Sequence, residues 1–353
     1  MCFTTSIHNR GAIYTVVNQL IGFLLGLVFI LIFDKNIHFI FIGTIISSSV
    51  VLLLILKELR PKLPRYQINF DKEVLKDYYR FGVPMTFAVF ASVILNLSDR
   101  LVIQYFLSST EVALYDVPAR ITEKSILLLL TLFDMVDRPY ILGQVNVKSK
   151  AELQKNIQSF VRLFLLLMIP VITSYFILSK ELIYLISDKK YLDSSQVIPI
   201  IALSYFFIGL GGRYQLGSLI AKKAKIFFII SMTCGLLNVI GNIILIPKFG
   251  YKVAAYTTLF SAIIYFFWHL YYSKKFYLDN IFLKLLFKFI LIGIILIIVS
   301  KFLFIQTIAL QDLSLFIRSL MTIAIIFSLF ALELIIFKEH KSIFQFLKKY
   351  IKQ

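Results

Sequence analysis

Charge is scarce in this sequence, and so are the residues from which most active sites are built. Asp, Glu, Lys and Arg make up 16% of the 353 residues, against about 25% in an average soluble domain. Two cysteines, Cys2 and Cys234, are too few for a disulfide framework and show no metal-ligand spacing. The four histidines do not cluster, so neither a zinc box nor a His/Asp or Ser/His constellation emerges. The "GLGG" run at 209–212 lacks the P-loop pattern around it, which excludes phosphate cradling of that kind and leaves the flexible cytoplasmic end of a span as the expectation. A membrane glycan polymerase or ligase usually needs a large outside loop for its chemistry. The longest here, roughly 180–196 ("KELIYLISDKKYLDSSQ"), is short. No cofactor and no metal is expected.

What is present is apolar. Hydrophobic residues make up 59% of the chain, and the mean hydropathy is +0.86. "VVNQLIGFLLGLVFILIF" (16–33) and "LLFKFILIGIILIIVSKFLF" (285–304) are each close to the roughly 20 residues that cross hydrocarbon as a helix. The fold class is therefore an all-α polytopic membrane protein with about ten transmembrane helices, at 12–33, 37–56, 81–106, 118–137, 160–179, 197–216, 226–246, 252–272, 285–305 and 315–337. Residues 1–10 are polar, and the first apolar stretch runs on into a full-length span, so no cleavable signal peptide is expected.

The formal charge of +18 reads as topology rather than as a nucleic-acid surface. With the N-terminus cytoplasmic, most of the 37 Lys and Arg residues fall in inside segments. These include Lys57 to Arg80, Arg138 to Arg162, Arg213 with Lys222, Lys223 and Lys225, and Lys338 to Lys352. The bias puts both termini inside. The longest gap, 57–80, carries two prolines at its start and a short surface helix from Asp71, a suitable N-cap. It reads as a cytoplasmic linker. Residues 10–60 and 223–275 share one layout, a span with small and amide residues, a tight turn and a second span ending in basic residues, and such repeats are common in transporters.

Charges inside spans are costly and usually face a wet cavity or a protein interior. Asp99 and Arg100 are adjacent, so on a helix they point about 100° apart and cannot simply pair with each other. Asn96 is close enough to support either. Two readings stand: a polar stripe lining a cavity, or Arg100 reaching to the headgroups while Asp99 binds a neighbouring helix. In 118–137, with Pro118 at the first helical position, Arg120, Glu123, Leu127, Thr131, Asp134 and Arg138 recur at steps of three or four on one face. Facing lipid, each charge near the centre would cost on the order of 2.5–3.5 kcal/mol. The face is expected either to line a cavity or to be bridged internally, Arg120 to Glu123. Arg100, Arg120 and Lys124 are the candidate phosphate-binding cations; Glu123, Asp99, Asn96 and Asp134 complete the candidate substrate-binding set. Ser231, Cys234, Asn238, Gly241 and Asn242 read as helix packing, and "IYFFWHLYY" (264–272) as an interfacial aromatic belt with a structural His269.

The stretch 80–121 resembles the polysaccharide-biosynthesis flippases, the Wzx-like O-antigen or oligosaccharide-lipid translocases. These share a superfamily with the multidrug/toxin extruders and the lipid II flippase. Arg80, Phe81, Gly82 and Pro84 match the opening of their seventh span, Asp99 and Arg100 its Asp-Arg pair, and Ala113 and Tyr115 the turn that opens the next. Residues 212–275 are similar to the family's succession of Gln-x-Gly, Lys-Lys, Ile-Pro-x-Phe-Gly and Ala-Ala. The resemblance implies a partial two-lobed MATE/MOP-type flippase fold: 1–56 as a two-span remnant of the first lobe, 57–80 as linker, 81–275 as a six-span second lobe, and 276–353 as a final pair with a basic cytoplasmic tail. Four spans of the first lobe have no counterpart, so a fragment is expected, or a second chain supplying the rest. The implied activity is non-enzymatic: alternating-access translocation of a polyprenyl-pyrophosphate-linked oligosaccharide, an O-antigen or capsule repeat unit, across a bacterial inner membrane. Its implied partners are that lipid, the bilayer, and a glycan polymerase with its chain-length machinery. The rival within the fold, a cation-coupled multidrug exporter, would favour intramembrane acids, whereas bases here at least match acids.

Overall fold

A computed structural model describes Tyr14, Asn18 and residues 20–32, 38–59, 97–145, 147–221, 224–276, 281–307 and 315–336. Residues 60–80 of the expected linker, Asn96 and the basic tail lie outside the described residues. The chain divides into two compact units, Met1–Arg80 and Phe81–Gln353. Among the described residues all regular structure is helical, because a backbone in hydrocarbon must satisfy its own hydrogen bonds.

In the first unit, α1 (Leu20–Ile32) lies against α2 (His38–Leu59). Small residues set that approach. A Cβ on Gly43 would fall 2.4 Å from the Gly26 nitrogen, and one on Gly26 would fall 2.7 Å from the Ile40 Cα. The backbones therefore meet without intervening side chains, the usual contact of membrane helices. Ser47 adds a bond to the Asn18 carbonyl at 3.0 Å.

The second unit holds α3 (97–106), α4 (Ser109–Gly143), α5 (Lys150–Ile177), α6 (Ser179–Ile186) and a short 3₁₀ helix (Lys189–Ser194). Then follow α7 (Val197–Ile220), α8 (Ala224–Phe249), α9 (Val253–Phe276), α10 (Ile281–Thr307) and α11 (Leu315–Ile336). Two of the boundaries show their local cause plainly. At α5, Ser149 and Glu152 form a reciprocal capping box. The α8–α9 turn is made by Gly250 at φ 78°, whose N–H donates to the Ile246 carbonyl at 2.9 Å. That left-handed position suits glycine.

Helix α7 is the centre of this unit and packs on α4, α5 and α9. Its buried face joins Phe133, Phe164, Phe206, Tyr214 and Phe266 in one aromatic core. The "GLGG" run lies inside this helix, not at a flexible end. Gly209 faces Leu130 and Phe164, and Gly211 faces Tyr265, at distances that leave no room for a Cβ. The glycines are there so that neighbouring aromatic rings can reach the α7 backbone.

Seven helices among the described residues are long and apolar enough to span a membrane: those at His38–Lys57, Lys150–Ile177, Val197–Ile220, Ile226–Phe249, Val253–Lys275, Leu286–Phe304 and Leu315–Leu332. The expected spans at 12–33 and 81–106 are described only in part. The one at 118–137 lies within α4, a helix of 35 residues. The expected aromatic belt is half core: Phe266, His269 and Leu270 are buried, while Phe267 and Tyr271 are exposed.

Candidate functional site

Three clusters in the second unit that contain charged residues are anchored on α3 or α4. Helix α4 begins nine residues before the expected start at Pro118. Ser108 caps it by accepting from the Glu111 N–H at 3.2 Å, so "STE" opens a helix where a turn was expected. Ala113 and Tyr115 therefore lie within α4. Pro118 is interior, and Thr122 donates to its carbonyl at 2.9 Å.

The first cluster surrounds Asp99, which is buried. Tyr115 donates its hydroxyl to Asp99 Oδ2 at 2.6 Å, Asn242 its amide to Oδ1 at 2.6 Å, and Thr258 its hydroxyl to Oδ2 at 3.2 Å. The Asn238 amide lies 3.0 Å from Oδ1 and 3.1 Å from the Thr258 backbone nitrogen, and donating to the first while accepting from the second satisfies both. Thr257 donates to Asn242 Oδ1 at 2.5 Å. One carboxylate thus ties α3 to α4, α8 and α9, which agrees with the expectation that the polar stripe of α8 serves packing. The acceptors in this cluster are all oxygen, and the bonds into Asp99 are donated by the neighbouring helices, so the carboxylate is satisfied within the protein. No group of three or more His, Cys, Asp or Glu side chains placed to hold a metal ion exists among the described residues.

The second cluster lies beside it. Arg100 donates its Nε to Asp116 Oδ1, and its terminal nitrogen is 3.6 Å from Glu123 Oε2. Arg120 donates its Nε to Asp116 Oδ2 at 2.5 Å. The partner of Arg120 is therefore Asp116 one turn back, not Glu123. Arg100 is 16% exposed and Arg120 52% exposed. Lys124 is exposed one turn further along α4. Arg100, Arg120 and Lys124 thus stand beside Asp116 and Glu123, with Asp99 next to Arg100 on α3.

The third cluster lies toward the other end of α4. Arg213 on α7 pairs with Asp134, and its Nε lies 2.5 Å from Asp137 Oδ2. Asp134 also meets Arg138 at 3.0 Å, and Arg138 donates to Gln215 at 3.5 Å. The guanidinium of Arg213 is flanked by the rings of Phe133 and Phe164, each 5.6 Å away. Arg213 is 1% exposed and Asp137 fully buried. Arg213 is thus not a basic residue of a cytoplasmic segment, because α7 runs seven residues past it.

Of the expected site residues, the structure brings Arg100, Arg120 and Glu123 together, with Lys124 one turn from Arg120. It gives Asp99 to the oxygen cluster beside them and places Asp134 far along α4 in a separate ion group. Asn96 lies outside the described residues. Tyr115, Asp116, Asp137 and Arg213 were not foreseen. The signal for the first two was Ser108 with Glu111 three residues on, a helix start that carries both onto α4. The signal for Arg213 was the apolar run that continues beyond it to Ile220.

The comparisons with known proteins agree with this architecture. The profile of the polysaccharide biosynthesis protein family matches residues 8–196, more than half of the chain. An uncharacterised membrane protein of Methanocaldococcus jannaschii is 24% identical over 309 residues, 84% of this chain and 59% of that protein. The chain therefore spans about 59% of the length of that curated relative. Among solved structures, the lipid II flippase MurJ in an inward closed conformation superposes with a TM-score of 0.68 at 18% identity, over 91% of this chain and 67% of MurJ.

Proposed function

The chain belongs to the polysaccharide biosynthesis protein family, and from that premise we propose that it moves a lipid-linked glycan across a membrane without altering it covalently. The cargo is a polyprenyl-pyrophosphate-linked oligosaccharide, such as an O-antigen or capsule repeat unit, and the setting a bacterial inner membrane. Transfer by alternating access carries the head group past the charged face of α4 while the lipid tail stays in the bilayer. A glycan polymerase and its chain-length machinery would receive the product.

One observation carries the reading. Arg120 is half exposed and Lys124 exposed in a helix whose centre is "SILLLLTLF". Exposed cations at such a position suit an anionic ligand, and arginine suits phosphate through its planar fork of donors. The fold similarity to a lipid II flippase supports the same direction. Glycan export in a strain that depends on this protein tests it. Arg120→Ala is expected to abolish export while insertion and abundance stay normal, and normal export by that variant would remove Arg120 from the site.

A further inference from the structure

Helix α6 and the start of α11 turn apolar stripes toward each other without closing the space between them. Leu182, Leu185 and Ile186 line one wall of a groove of about 370 Å³, and Phe316, Ser319 and Leu320 the other. Each set follows the spacing i, i+3, i+4, which is one helix face. Apart from Ser319 these side chains are large, so the two helices are held apart where glycines bring α1 and α2 together.

The groove lies at one end of the bundle. Helix α5 ends at Ile177 and α11 begins at Leu315, so two spans leave the hydrocarbon here. Helix α6 buries Ile183 and exposes Tyr184, Leu185 and Ile186. A short helix with such an exposed apolar side suits the headgroup layer, and tyrosine is favoured at that level. The Lys189 ammonium stands over the Tyr184 ring, 5.3 Å from its centre.

Charge marks the same place. Lys180 precedes the α6 wall in sequence, and Arg318 is adjacent to Ser319. Both lie within electrostatic reach of Glu181. The Arg318 Nε and one Glu181 carboxylate oxygen are buried and take part in no hydrogen bond. Two cations with one acid, beside an apolar groove, complement a molecule that joins an anionic phosphate to a hydrocarbon chain.

We infer that the α6–α11 groove binds one anionic phospholipid of the surrounding bilayer, with an acyl chain between the two helices and the phosphate beside Lys180 and Arg318. The size of the groove favours this occupant over the tail of the proposed cargo. At about 370 Å³ it is near the lower end of ligand cavities, about 300–1,000 Å³, which suits a single acyl chain, whereas a long polyprenyl tail would overrun it. The inference does not depend on what the protein transports.

The test uses the full chain in detergent micelles that contain phosphatidylglycerol and phosphatidylcholine in equal amounts. Native mass spectrometry reads the lipid retained by each chain. The wild type is expected to retain one lipid and to favour phosphatidylglycerol by about fivefold, the gain expected of one interfacial cation. Lys180→Gln combined with Arg318→Gln is expected to bring that ratio to about one while a lipid is still retained. Ser319→Phe places a ring in the groove, and retention of both lipids is expected to fall about tenfold. If that variant does not fold, Leu185→Trp fills the groove from the opposite wall and carries the test.

Equal retention of the two lipids by the wild type overturns the inference. Retention unchanged in Ser319→Phe and in Leu185→Trp puts the lipid elsewhere and overturns it as well. Displacement of the lipid by farnesyl pyrophosphate in the wild type but not in Ser319→Phe would give the groove to the cargo and overturn the phospholipid assignment. Export by Arg120→Ala is a separate measurement, so the proposed function stands or falls apart from this groove.

Discussion

The two ends of α4 carry similar charge and hold it in opposite ways. Near its start, Asp116 and Glu123 meet Arg100 and Arg120, and the outer arginine is half exposed. Toward its other end, Asp134 and Asp137 meet Arg138 and Arg213, and the inner arginine is sealed between two phenylalanine rings. The difference lies in what each end packs against. The late turns of α4 meet α7, whose glycines let aromatic rings close around the ions. The early turns meet the short described part of α3, which buries Asp99 and leaves the arginines at an edge. An ion group whose central arginine and one of whose acids are sealed serves to hold helices together. An ion group with one open side can exchange a partner for a ligand. Asp134, equal to Arg120 as a candidate by sequence position, is bound to that sealed arginine although it is itself 37% exposed.

The contrast can be broken most directly at Arg213. Arg213→Ala removes the guanidinium beside the buried Asp137 and is expected to cost about 3–5 kcal/mol, read as a large fall in the thermal unfolding temperature of the purified protein. A loss below about 1 kcal/mol would make the two ends of α4 alike. Gly209→Ala sharpens the same point without touching charge. Its Cβ would lie 2.6 Å from both Leu130 and Phe164 side-chain atoms, so the variant is expected to lose about 2 kcal/mol by overpacking, although alanine is the better helix former by about 1 kcal/mol. A stabilised variant would mean that the α4–α7 contact is loose.

Smaller effects are expected at the open end. Tyr115→Phe removes one bond to a buried carboxylate that keeps its bonds from Asn242 and Thr258, and about 1.5 kcal/mol should be lost. Arg120→Ala should change stability by less than about 1 kcal/mol, as befits a half-exposed pair, while abolishing export. If Arg120→Ala unfolded the protein as Arg213→Ala does, its ion pair would be a fastener and the contrast would fail.

Much of this organisation was legible in the residues. Apolar runs of span length located the membrane helices, and the Asp99–Arg100 pair marked a helix with polar business inside the bilayer. The face Arg120, Glu123, Leu127, Thr131, Asp134 and Arg138 was identified by spacing alone. What spacing could not tell was which neighbour each charge meets. The start of α4 was read at Pro118 because proline suits a first turn, and that choice hid Tyr115 and Asp116. Arg213 was read as a loop cation because it lies near the end of a span of expected length.

The sequence by itself determined that this is a helical membrane protein with charges in unfavourable places, because hydrocarbon permits few backbone solutions and penalises each unpaired charge. Only the tertiary structure decided which charges are closed off and which stay open. Helical periodicity gives the angle between residues on one helix, but the rotation of that helix against its neighbours is set by packing. At α7 that packing is set by glycines whose purpose shows only when Phe164 and Tyr265 are seen filling the space beside them.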